Sequence, residues 1–153
     1  MSGKIDFGLD FLYITRELQI RASEAGVIDP VSDAAAKLFL VQWGLSPDDV
    51  DEANTLFWDQ ANAGTLDEFH VAFERIVDHM GKDQAAQERL VMQLAALGSM
   101  DFAITDEEAS FVRWFQDAFD LRPSEFNELC QKGWEWAIAL AFYGDAYEQA
   151  KGS

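Results

Sequence analysis

Apolar residues recur along this chain at helical spacing. Leu9, Leu12, Tyr13, Arg16 and Ile20 mark a long first helix that should end near Gly26. Asp29-Pro30 then gives an N-cap aspartate with proline at the first helical position, and the stripe Ala35, Leu38, Phe39, Trp43 runs on to Gly44. Ser46-Pro47-Asp48-Asp49 starts a third helix by the same device, with Asp49 placed as a capping-box acid. Thr65-Leu66-Asp67-Glu68 reads as another capping box, opening a helix over 66–81 through Phe69, Phe73, Ile76, Val77 and Met80 and closed by Gly81. Residues 83–99 make a fifth helix, 105–119 a sixth, and Pro123 to about Ala146 a seventh. No alternating run of β-branched and aromatic residues lies between turn signals, so no strand is predicted. The expectation is an all-α domain, a compact bundle of about seven helices with short linkers.

A longer regularity overlies the helices. Displacing the chain by 76 residues brings Ile28 onto Ile104, Phe39 onto Phe115, Leu45 onto Leu121, Pro47 onto Pro123 and Glu52 onto Glu128. Ala35, Leu38 and Trp43 meet Phe111, Trp114 and Phe119, and the turn "GLSPDDVDE" meets "DLRPSEFNE". Seven identities over 42 paired positions would carry little as a count, so the weight falls on the shared order of cap, stripe and turn. Residues 11–52 and 87–128 are therefore expected to be two copies of one helical unit, with the helix at 66–81 between them.

These residues resemble the TerB-like tellurite-resistance superfamily, whose repeat reads roughly A-D-G-x-I-x-x-x-E before a helix ending in L-G-L-S. The second copy matches with Met100-Asp101-Phe102-Ala103-Ile104 and Glu108; the first has Glu24-Ala25-Gly26-Val27-Ile28 with Ser32 in the glutamate position. The second copy keeps the two acids and loses the glycine, and the first does the reverse. The resemblance implies an all-α fold of two repeated units, usually non-enzymatic, associated with stress and tellurite resistance and with metal binding through acidic side chains.

Asp101 and Glu108 are the residues on which that implication bears. An EF-hand is excluded: with Glu108 at position twelve, Leu97 falls at position one and Phe102 at the position that needs glycine. A looser Ca²⁺ or Mg²⁺ site remains, with Asp101, Asp106, Glu107 and Glu108 supplying carboxylates. Against it, Thr105-Asp106-Glu107-Glu108 is a capping box, and acids in a first turn favour the helix dipole by ~0.3–1 kcal/mol each. The cap accounts for three of the four acids without a metal and leaves only Asp101 over. The stretch is a helix start first and a weak metal site second, with Asp101 and Glu108 as its ligands.

Composition narrows the function classes. The 153 residues are about one domain's worth, 49% apolar and 13% aromatic, enough for a core that buries roughly two-thirds of the unfolded surface. The net charge of −17 is spread through every third of the chain; it repels nucleic acid and anionic membrane and favours cations or basic protein surfaces. Cys130, the only cysteine, rules out an intrachain disulfide and cysteine-rich zinc sites, and at helical spacing with Phe126, Trp134 and Ala137 it reads as a buried small hydrophobe. "MSGKIDFGLDF" lacks the pattern of a signal peptide, and no run nears ~20 apolar residues, so a cytoplasmic protein without membrane insertion is expected.

Catalytic signatures are missing from the sequence. His70 and His79 fall on opposite faces of one helix, and Asp67 with His70 has the i, i+3 spacing of a di-iron helix without a second such pair. No G-x-S-x-G or phosphate-binding glycine loop is present. The last helix is apolar on two sides, one bearing Phe126, Cys130, Trp134, Ala137, Ile138 and Ala141, the other Trp136, Leu140 and Tyr143. Such a helix is central to its bundle or covered by a partner, so Trp134 is expected inside and Trp136, Leu140 and Tyr143 on a homodimer or protein-docking face. The reading is a non-catalytic binding or scaffold module in a stress response. An acidic nucleic-acid mimic that occupies a basic protein is the alternative, and a metal-dependent enzyme stands third.

Overall fold

The computed structural model describes the backbone of residues 2–22, 30–98 and 106–152, and the side chains of 3–18, 33–97 and 112–137. Seven helices and no strand occur among the described residues: α1 (Ser2–Ala22), α2 (Pro30–Gln42), α3 (Pro47–Ala63), α4 (Phe69–Met80), α5 (Gln84–Gly98), α6 (Asp106–Ala118) and α7 (Pro123–Gly152). No described helix is long and apolar enough to cross a membrane.

Local chemistry sets most boundaries. Ser46 holds extended backbone and its hydroxyl accepts from the Asp49 N–H at 3.1 Å, with Pro47 beginning α3. Asp83 caps α5 by accepting from the Ala86 N–H at 3.3 Å. The Thr65–Glu68 box is a correction: Glu68 is the N-cap of α4 and makes no side-chain cap bond. Thr65 is engaged at the end of α3 instead, its N–H donating to the Gln60 carbonyl at 2.9 Å, so α4 starts only at Phe69.

The core is organised around α1, which packs against α2, α3, α4, α5 and α6. Phe7, Phe11, Leu12, Ile14 and Leu18 are buried, and so are Asp10, Thr15 and Arg16. α7 packs chiefly on α5 and also touches α2. On α7 the inward stripe is Phe126, Leu129, Gly133 and Ala137, flanked by part-buried Cys130 and Trp136. Trp136 packs on Phe39, ring centroids 5.1 Å apart, while Trp134 is 38% exposed. The two tryptophans are thus reversed from the expected arrangement. Gly133 is the cause: a Cβ built there would lie 2.6 Å from the Met92 carbonyl oxygen and 2.8 Å from the Ala95 Cβ, so α5 and α7 cross at backbone distance.

Helix ends correspond across the 76-residue displacement. α2 and α6 end at displaced positions, as Pro47 and Pro123 begin α3 and α7. Gly44 (φ 98°) and Asp120 (φ 53°) are both left-handed. Each follows a Schellman closure, with Gly44 N–H to Val41 O and Leu45 N–H to Leu40 O matched by Asp120 N–H to Asp117 O and Leu121 N–H to Gln116 O. Phe39 and Phe115 are fully buried, Leu45 and Leu121 buried, and Leu38 and Trp114 exposed. The exposed pair departs from the expected stripe: α2 turns Ala36, Phe39 and Leu40 inward and leaves Leu38 out.

Candidate functional site

Four polar constellations interrupt or coat the apolar framework. The most enclosed is Arg16, 1% exposed, on the face where α1 meets α2 and α3. Its Nε and Nη2 donate to Asp33 Oδ1 at 3.3 and 3.0 Å, and Nη2 donates to Asn54 Oδ1. The guanidinium carbon lies 4.7 Å from the centre of the Phe57 ring and 5.0 Å from that of Trp58. Asp33 also pairs with Lys37 at 3.1 Å. Burial lowers the Arg16 pKa from its ordinary value and Asp33 opposes that shift; an arginine so placed stays charged at neutral pH.

Asp10, also buried on α1, receives a two-pronged grip from Arg75 of α4, Nε to Oδ2 at 2.9 Å and Nη2 to Oδ1 at 2.8 Å. Arg75 also pairs with Asp67 at 2.9 Å. Burial pushes the Asp10 carboxyl up while the Arg75 fork pulls it down. A third link joins α2 to α5: the Trp43 indole donates to fully buried Gln93 at 2.6 Å, and Gln93 donates to Gln42 at 3.3 Å.

The fourth constellation faces solvent. α3 turns Val50, Ala53 and Phe57 onto the core, which sets its opposite side outward. That side carries Asp48, Asp51, Glu52, Thr55, Trp58, Asp59 and Asn62, all exposed, over about 21 Å at the rise of an α-helix. α3 contains no Lys, Arg or His, and none of these four carboxylates makes an ion pair among the described residues. Asp48 stands i, i+3 to Asp51 and i, i+4 to Glu52, like-charge spacings that cost about 0.2–0.5 kcal/mol each. Trp58 is 43% exposed between them and Asp59, held from below by Phe57 and Arg16.

Of the residues singled out in the sequence, Asp101 lies outside the described residues and Glu108 is described only as part of α6, so the geometry of that pair is not placed. No group of three or more His, Cys, Asp or Glu able to hold a metal occurs among the described residues. Asp67 turns to Arg75, whereas exposed His70 lies 3.2 Å from Glu68 and His79 stacks on Phe7 at 4.3 Å. Cys130 is half-buried against the core, where burial pushes its thiol up to about 11, leaving little thiolate at neutral pH. Trp136 faces its own core, and the side chains of Leu140 and Tyr143 lie outside those described, so the expected docking face loses its leading residue.

Sequence reasoning placed Arg16 on the α1 stripe without giving it a role, and passed over Asp10 and Gln93. A charged residue in phase with a core stripe was the available signal. The outer face of α3 was also visible, as a helix with five acids and no base. Compared with known proteins, the chain matches no family model, no curated sequence and no solved structure.

Proposed function

We infer that the chain is a non-catalytic helical binding module of the TerB-like kind, acting in the cytoplasm in a stress response, and that its partner is a basic protein. One observation carries the choice of partner: the outer face of α3 holds, around a half-exposed tryptophan, four carboxylates that make no ion pair among the described residues. Crowding like charges on one helix face costs stability, and a cationic partner relieves that cost while Trp58 supplies apolar and cation–π contact. The matched helix closures at the 76-residue displacement support the two-copy reading behind the resemblance. Weak Ca²⁺ or Mg²⁺ binding at Asp101 and Glu108 belongs to the same reading; Asp101→Asn should abolish any melting-temperature rise those ions produce beyond ionic strength.

The test is a titration of the full chain with a lysine- and leucine-bearing amphipathic helical peptide. Saturable binding is expected that weakens with salt and falls about tenfold in Trp58→Ala. Glu128→Gln with Glu135→Gln, on α7, should leave it nearly unchanged. Equal losses from the α3 and α7 changes would mean that the overall charge, not a surface, is responsible.

A second reading, the nucleic-acid mimic, gains from the alignment of Asp48, Asp51, Glu52 and Asp59 on one exposed face. It predicts that Asp51→Asn with Glu52→Gln abolishes binding while Trp58→Ala spares it, and that duplex DNA competes for the same basic partner.

A further inference from the structure

Arg16 makes an uneven use of its donors. Its Nε–H and both Nη2–H groups are satisfied by Asp33 and Asn54, whereas the buried Nη1 has no hydrogen-bond partner among the described residues. A buried cationic N–H₂ left without an acceptor is expensive, and native proteins nearly always supply one. The Asn54 amide nitrogen, on the group that already accepts from Arg16, also donates to no described residue. Among the described residues, two cations, Arg16 and Lys37, pair with the one carboxylate of Asp33. Asp33 stands in the first turn of α2, whose N-terminal end adds further positive character.

The guanidinium is only one side chain deep. The side chains of Asp33 and Lys37 are 22% and 35% exposed, and Trp58 above the guanidinium is 43% exposed. Trp58 is the most exposed of the side chains packed on the guanidinium, 5.0 Å from its central carbon, whereas Phe57 beside it is buried. We propose that Arg16 Nη1 and the Asn54 amide form a binding site for a small oxyanion, a carboxylate or phosphate group, entered past Trp58. This site shares Trp58 with the basic-partner face but holds its ligand at Arg16 and Asn54, so Arg16→Met and Asn54→Ala test it without altering the carboxylates of that face.

Sodium acetate and sodium phosphate, each against sodium chloride at matched ionic strength, would be titrated into the full chain at neutral pH. Trp58 emission, isolated by difference from Trp58→Phe, and melting temperature would be followed. A saturable change in Trp58 emission with a parallel rise in melting temperature is expected, with half-saturation shifted about tenfold higher in Arg16→Met. Acetate acting alone assigns a carboxylate ligand, phosphate alone a phosphate, and either outcome supports the site. General salt effects on stability act on wild type and Arg16→Met alike, so equal responses overturn it. Should Arg16→Met fail to fold, Asn54→Ala decides: it keeps the cation and removes one donor, and an unaltered half-saturation overturns the site.

Discussion

Gly133→Ala is expected to destabilise the chain by about 2 kcal/mol, lowering its melting temperature by roughly 5 °C. Alanine is better than glycine inside a helix by about 1 kcal/mol, so an exposed site would show a gain. At Gly133 the added methyl would meet the Met92 carbonyl oxygen at 2.6 Å, the Ala95 Cβ at 2.8 Å and the Ala96 nitrogen at 3.1 Å. Two of those three atoms are backbone, so relief requires α5 and α7 to separate. Gly8→Ala makes the comparison sharper. Its new Cβ would meet the Leu45 Cδ2 at 2.8 Å and the Ala53 Cβ at 3.0 Å, and the first can swing aside. Gly3, with nothing within 4 Å, should give no loss at all. Thermal melts of the three alanine variants should rank Gly133 as most costly, Gly8 next and Gly3 neutral or slightly stabilising. A Gly133→Ala protein as stable as wild type would mean that α5 and α7 do not cross so closely.

Asp33→Ala should cost more than Arg16→Met, although Arg16 is the larger and more buried side chain. Removing Asp33 leaves the Arg16 guanidinium enclosed without a carboxylate, a change that costs about 3–5 kcal/mol when a buried pair is broken. The part-exposed position of Asp33 and the retained Asn54 acceptor put the expected loss near the lower end, about 3 kcal/mol. Arg16→Met removes the buried charge and keeps much of the apolar stem, while Asp33 retains Lys37 at 3.1 Å. Its expected cost is about 1 kcal/mol. The double variant should therefore resemble Arg16→Met and not the sum. Urea unfolding of the three proteins measures this; additive losses, or a larger loss from Arg16→Met, would show that Asp33 is not the group that makes Arg16 tolerable in the core.

Helix starts and stops were legible in the sequence because their chemistry is local. Ser46-Pro47 capped a helix, Gly44 and Gly81 closed two, and Pro123 opened the last, each through contacts within a few residues. The centre of the bundle was not legible. α1 is surrounded by other helices, yet Asp10, Thr15 and Arg16 break its apolar pattern; Thr15 is satisfied within α1 by the Leu12 carbonyl, but the partners of the two charged residues are remote, Arg75 being 65 residues from Asp10 and Asn54 38 from Arg16. The reversal of Trp134 and Trp136 has a related origin. A stripe is read from side chains, and the residue that decides which side of α7 meets α5 is Gly133, which has none. The box at Thr65 failed for another reason: the backbone there still closes α3, and α4 begins only after Glu68, beyond the reach of a Thr65 cap. The candidate surface was half visible: the acids and the missing bases of α3 are sequence facts, but only the packing of Val50, Ala53 and Phe57 turns Asp48, Asp51, Glu52, Trp58 and Asp59 outward together.

Whether that surface receives the partner is tested most directly by amide chemical-shift mapping of the ¹⁵N-labelled full chain during titration with the basic amphipathic peptide. The result expected is a contiguous set of saturable shifts over residues 48–62, including the Trp58 indole N–H, with α7 residues around Glu128 and Glu135 little moved. Small shifts spread evenly over acidic residues of every helix, with the Trp58 indole unmoved, would contradict a defined binding face on α3.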